Sequence, residues 1–144
     1  MSDGLEQTGH RGGCLCGAVR YVVRGPLRPV VACHCGQCRR TSGHFVAATA
    51  CRREHLEIIG TDDLAWYCSS PAARRGFCLR CGSNLFWEPT DGTRIGIMAG
   101  TLDGPTGLRI AMNVFADDAG DYYQVPQDAP HIDGGDHGIA VPES

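Results

Sequence analysis

Cys14-Leu-Cys16-Gly-Ala-Val-Arg-Tyr-Val-Val-Arg24 sets two spaced thiols directly against a run rich in β-branched and aromatic residues. The run from Ala18 to Arg24 predicts a strand. The thiols before it predict a metal-binding turn, with Gly12, Gly13 and Gly17 allowing the dihedrals such a turn needs. Seven of the nine cysteines fall into three clusters of this kind. The other two clusters are Cys33-His-Cys35-Gly-Gln-Cys38 and Cys78-Leu-Arg-Cys81-Gly82.

Cys78 and Cys81 have knuckle spacing, a strong zinc signal because one tight turn aims both sulfurs at one ion. Two ligands do not complete a tetrahedron, and Cys14 and Cys16 are the matching pair. Cys14, Cys16, Cys78 and Cys81 therefore read as a closed four-thiolate structural zinc site, pinning the start of the domain to its middle. Cys33, Cys35 and Cys38 lie within six residues and can reach one metal together, with no adjacent obligatory fourth ligand. A three-thiolate zinc keeps a position where an outside thiol can bind and lose its proton. These three are thus metal ligands and the candidate catalytic residues.

His34 sits between two of these ligands, and in an extended stretch its side chain points the other way. It stands behind the cysteines as a ligand candidate, as does His44. Cys51 and Cys68 lie in apolar, strand-like stretches and read as buried free thiols. Arg39 and Arg40 follow the second cluster and could grip an anionic substrate, since guanidinium pairs with carboxylate in a fork. Arg74 and Arg75 offer the same chemistry and rank behind them. Thr41-Ser42-Gly43 could add hydroxyl and backbone donors, so Ser42 joins Arg39 and Arg40 as a candidate binding residue. Solvated charge, structural ion pairs and a plain turn are the ordinary alternatives.

The chain has 144 residues, enough for one domain with one core. No apolar run is long enough to span a membrane, and the first eleven residues lack a secretory apolar region. A cytoplasmic location is expected, where thiols stay reduced and clustered cysteines serve as metal ligands rather than disulfides. The formal charge is −3, and ionising seven thiols while binding two divalent ions takes it to about −6. That balance argues against nucleic-acid binding, which needs a basic face. All 13 basic residues are arginine, so Schiff-base chemistry on lysine is excluded.

Further short strands are expected over 45–50, 56–59, 64–68, 84–88, 94–98 and 108–115, with turns at Gly60-Thr-Asp-Asp63, Ser69-Ser-Pro71, Asp91-Gly92 and Asp103-Gly-Pro105. A single helical turn after Cys38 is the one helical element expected. Many short strands with Gly/Pro turns predict an all-β fold. Residues 1–11 read as an N-terminal tail, 12–125 as the zinc domain, and 126–144 as an irregular C-terminal tail. His131 and His137 are expected to be solvent-exposed within that tail.

Four segments in order, Gly13 to Arg20, Cys33 to Gly43, Arg75 to Phe86 and Gly100-Thr-Leu-Asp103, resemble the family of glutathione-dependent formaldehyde-activating enzymes, which also includes the centromere protein V type. The resemblance implies a β-tent of small antiparallel sheets around the four-cysteine zinc, with a second, catalytic zinc on Cys33, Cys35 and Cys38. It implies carbon–sulfur lyase chemistry: addition of the glutathione thiol to formaldehyde, giving S-(hydroxymethyl)glutathione, as a monomer or homodimer. Two positions depart from the family pattern. Asn113 stands where a His is common, and Ala119 stands ahead of Tyr122 where a Lys is common. The alternative class is a non-enzymatic, chaperone-like zinc module, which a fourth protein ligand on the second metal would favour. A sulfoxide reductase using Cys68 does not fit the cysteine order, and a colourless protein would remove an iron–sulfur reading.

Overall fold

The structure is a computed structural model that describes residues 9–135. The remainder of both expected tails, His137 included, lies outside the described residues. The fold is mainly β, as expected: the described residues form ten strands, one short α-helix and four short 3-10 turns. The strands are β1 His10–Gly13, β2 Arg20–Val23, β3 Val30–Cys33, β4 Val46–Arg52 and β5 Leu56–Ile59. They continue with β6 Leu64–Ser70, β7 Ala73–Cys78, β8 Asn84–Pro89, β9 Arg94–Met98 and β10 Ile110–Val114. Helix α1 covers Gly36–Ser42, so it begins before Cys38 rather than after it.

A three-stranded sheet has the order β1-β2-β5 and a seven-stranded sheet the order β10-β3-β4-β9-β8-β7-β6. All pairings are antiparallel except β10 with β3, which is parallel and so departs from the expected antiparallel scheme. Strand alternation divides the large sheet into two working faces. Ile95 and Ile97 of β9 and Cys51 of β4 point to the main core, where they meet Val19, Tyr21, Val23, Leu56, Leu85 and Phe86. This is the interface with the small sheet. Full burial of an Ile, Leu or Phe side chain is worth about 1.5–3 kcal/mol, so this face carries most of the stability. The opposite face presents Val46 and Ala48 of β4, Met98 of β9 and Trp87 of β8 to a second, smaller cluster that contains Cys38.

Two polar ties fix the sheets to one another. The Tyr21 hydroxyl lies 2.8 Å from Thr101 Oγ1, which itself donates to the Met98 carbonyl, so Tyr21 is the donor. Gly12 forms an isolated bridge to Leu102. The chain after Val125 also engages the body: Ile132 N–H donates to the Asn113 carbonyl at 2.8 Å, and Phe115 N–H donates to Gly134 at 3.1 Å. His131 is exposed, as expected, and bridges beside Asn113.

Candidate metal centres and cavity

The two cysteine clusters sit on opposite faces of the large sheet. Cys14 follows β1, and Cys78 ends β7, which brings the two sheets together at the first cluster. The ligand atoms of Cys14, Cys16, Cys78 and Cys81 all lie within 4.8 Å of one another. Cys14 Sγ to Cys16 Sγ is 3.6 Å and Cys16 Sγ to Cys78 Sγ is 3.7 Å. Those spacings are far beyond a disulfide's roughly 2.05 Å. They match the roughly 3.8 Å between corners of a tetrahedron with metal–sulfur bonds of about 2.3 Å, the zinc–thiolate length.

Backbone donors converge on these sulfurs. Val19 N–H points at Cys14 Sγ (3.3 Å), while Arg80 and Cys81 N–H groups point at Cys78 Sγ (3.3 and 3.4 Å). Gly82, at φ 81°, turns the chain so that its N–H closes on the Cys78 carbonyl at 2.8 Å. Hydrogen bonding with Ser83 holds the Cys81 thiol down at about 5. Donors of this kind favour thiolates, and thiolates in this arrangement fit a tetrahedral ion.

The second cluster is built by the end of β3 and the start of α1. Cys33 closes the strand, Cys35 caps the helix by accepting the Cys38 N–H at 3.4 Å, and Cys38 lies on the buried side of the first turn. Their sulfurs also lie within 4.8 Å of one another, and among the described residues no His, Asp, Glu or fourth Cys joins them. The Cys38 thiol is lowered to about 6, first by its hydrogen bond with Cys33 and then by the Arg75 guanidinium. The Cys33 thiol is pushed up, first by that same hydrogen bond and then by burial. Three sulfurs this close together form a donor set that suits a soft divalent ion.

All three sulfurs line a cavity of about 380 Å³. Its floor is the second face of the large sheet: Val46, Ala48 and Ala50 of β4, Gly96 and Met98 of β9, and Trp87 of β8. Arg28, Arg75 and Arg94 line it, and no carboxylate is among the described lining residues.

The remaining candidates are distributed as follows. Arg39, Arg40 and Ser42 lie on α1 and are not among the residues lining this cavity. Ser42 Oγ donates to the Cys38 carbonyl at 2.7 Å and accepts the His44 N–H at 3.1 Å, a local closure of the helix end. Arg75, ranked behind Arg39 in the sequence reading, is the arginine beside the sulfurs. Its Nη2 is 3.8 Å from Cys38 Sγ and 3.2 Å from Gln37 Oε1. Arg74 faces the other way, stacking over Trp66 at 3.9 Å and pairing with Glu88 at 2.7 Å. Cys51 is fully buried in the main core. Cys68 is exposed on β6, which corrects the expectation that it is buried: its strand is the outermost of the large sheet, paired on one side alone among the described residues.

His34 points away from the sulfurs and is fully buried. Asn113 Nδ2 faces the carbonyls of Pro126, Ala129 and Pro130, at 3.1 to 3.5 Å, so its Oδ1 faces His34 Nε2 at 3.0 Å as an acceptor. His34 Nε2 then carries the proton, and Nδ1 accepts the Tyr123 hydroxyl at 2.5 Å. His44 is exposed and packs on Phe45 and Tyr123. Asn113 is one of the two positions that depart from the pattern of the family the sequence resembles, and Tyr123 is a partner that no local spacing links to His34.

Fold and site together describe a two-sheet β protein with a four-sulfur cluster joining the sheets and a three-sulfur cluster opening into a cavity. Residues 9–118, most of the chain, match the family model for glutathione-dependent formaldehyde-activating enzyme. The chain belongs to that family. It is similar to an uncharacterized lyase of Schizosaccharomyces pombe, 28% identical over 117 residues, which cover 79% of this chain and 83% of that protein. It also shares its fold with the crystal structure of a Rhodobacter sphaeroides protein. That match has a TM-score of 0.54 and 22% identity and covers 85% of this chain and 99% of the other.

Proposed function

We propose that this chain is a carbon–sulfur lyase-type enzyme that adds a thiol, glutathione in the family reading, to formaldehyde or a related small electrophile. The observation that carries the reading is the incomplete sulfur cluster: three cysteines without a fourth described protein ligand, facing a cavity of about 380 Å³. Cys14, Cys16, Cys78 and Cys81 would hold a structural zinc, and Cys33, Cys35 and Cys38 a second one. Zinc at the second position supplies a Lewis acid that favours the thiolate form of an incoming thiol. Because the three cysteine thiolates donate charge, that acidity is modest and suits a soft sulfur ligand.

The chain's own residues do the rest. Trp87, Met98, Val46 and Phe115 make the lining apolar and limit water around the reacting carbon. Ala48, Ala50 and Gly96 keep the floor low enough for a substrate to lie across the sheet. The arginines give a negatively charged chain a locally cationic pocket, which favours an anionic thiol.

Magnetisation-exchange NMR on glutathione and formaldehyde at equilibrium tests the reaction directly. The zinc-loaded protein is expected to raise the exchange rate in proportion to its concentration, and Cys35→Ser to abolish the increase. Protein carrying two zinc ions that leaves the rate at the uncatalysed blank would overturn the reaction and favour a non-enzymatic zinc-binding module.

A further inference from the structure

We propose that Arg75 is the oxyanion donor of this cavity, contacting the oxygen on which negative charge develops as a thiolate adds to an aldehyde carbon. This rests on the reaction proposed above and adds a catalytic residue to it.

Arg75 is 6% exposed and lines the cavity. A guanidinium this buried normally faces a carboxylate, because an unpaired buried charge costs several kcal/mol. Among the described residues Arg75 makes no such pair. Its Nη2 serves Gln37 Oε1 and Cys38 Sγ, while its Nε is buried with no hydrogen-bond partner. An unmade hydrogen bond at a buried donor costs about 1–3 kcal/mol, so the fold holds Arg75 at this cavity at a cost to its own stability.

The guanidinium is also held still. Gln37 Nε2 donates to the Ser69 carbonyl at 3.3 Å, which leaves Gln37 Oε1 turned toward Arg75. In the sheet, Arg75 stands opposite Trp87, and Trp87 opposite Gly96, so Arg75 shares the cavity face with both. A fixed cationic donor beside the site where the new bond forms is the electrostatic arrangement that stabilises developing negative charge.

The chemical step balances without any redox partner. The thiol proton passes to solvent. The sulfur electron pair forms the new C–S bond, and the C=O π pair moves onto oxygen. That alkoxide accepts hydrogen bonds from Arg75 until it takes a proton from water. Arginine stays protonated throughout, so Arg75 donates hydrogen bonds and not a proton.

The test uses the full-length, zinc-loaded protein as wild type, Arg75→Met and Arg75→Lys. In the exchange assay, Arg75→Met is expected to lower kcat by about 100-fold with little change in KM, and Arg75→Lys to recover part of the loss. Zinc content at saturating zinc, read with a chromophoric chelator, is expected to match wild type in both variants, with a weaker zinc affinity in Arg75→Met because Arg75 also touches Cys38 Sγ. A second arm is independent of turnover: formate, a one-carbon oxyanion, is titrated at constant ionic strength against the tryptophan fluorescence of a Trp66→Phe background, in which Trp87 is the remaining tryptophan. Formate is expected to bind wild type at least about tenfold more tightly than Arg75→Met. A folded, zinc-loaded Arg75→Met with wild-type kcat overturns the proposal. If wild type itself accelerates nothing, the reaction reading fails, and equal formate affinity in wild type and variant then overturns the Arg75 assignment as well. Should Arg75→Met not fold or not hold zinc, Arg75→Lys decides by the same two readouts.

Discussion

Burial pushes the Cys51 thiol up to about 12 from an ordinary value of 9.0. The folded protein therefore keeps this proton at pH values where the unfolded chain has released it. Stability from this group is intact below about pH 9 and is lost as pH rises from there toward 12. Denaturant unfolding at pH 8 and pH 11 is expected to show a smaller pH-dependent loss in Cys51→Ala than in wild type; identical losses would remove Cys51 as the cause. At this scale the sequence was most readable where cysteines cluster, because knuckle spacing is local. It was least readable for Cys51 and Cys68, whose neighbours in sequence are alike. One strand is central and the other lies at the edge, and only sheet order separates them. Arg75 and Arg39 posed the same difficulty: both adjoin cysteine clusters, but strand alternation turns Arg75 into the cavity.

Among the elements, β1 depends most on a missing side chain. A Cβ at Gly12 would collide with the Thr101 carbonyl oxygen and the Tyr21 hydroxyl, the first of which is backbone and cannot swing aside. Gly17, at φ 85°, has open space around it. Gly12→Ala is therefore expected to cost about 3 kcal/mol by overpacking, against about 1 kcal/mol for Gly17→Ala from backbone conformation alone. Chemical denaturation midpoints check this, and equal costs would contradict it. The strands over 56–59 and 94–98 were legible with their observed limits, since their apolar residues and bounding turns are local signals. Strand β7, Ala-Arg-Arg-Gly-Phe-Cys, was not legible. Its arginines resemble a solvated loop until Trp66 and Glu88 are placed beside Arg74, and Gln37 and Cys38 beside Arg75. Strand β1 was hidden by its two glycines, and β3 because its apolar residues run directly into the second cysteine cluster.

Across the whole molecule, the four-cysteine cluster ties the small sheet to the large one, whereas the three-cysteine cluster ties one strand end to a seven-residue helix. Chelator titration of the zinc-loaded protein is expected to release the ion at Cys33, Cys35 and Cys38 first, with the far-UV circular dichroism unchanged. Release of the second ion is expected to bring unfolding, because metal binding energy at such a site is folding energy. Simultaneous release of both ions, or removal of both without loss of structure, would contradict this assignment. The division of seven thiols into four and three, the mainly β character and the family were set by the amino-acid sequence alone, because ligand spacing and strand patterning act over a few residues. Tertiary structure decided which arginine stands beside the sulfurs, which thiols are buried, and that the two clusters occupy opposite faces of one sheet. Those properties depend on strand order and register between residues far apart in the chain, and no local pattern encodes them.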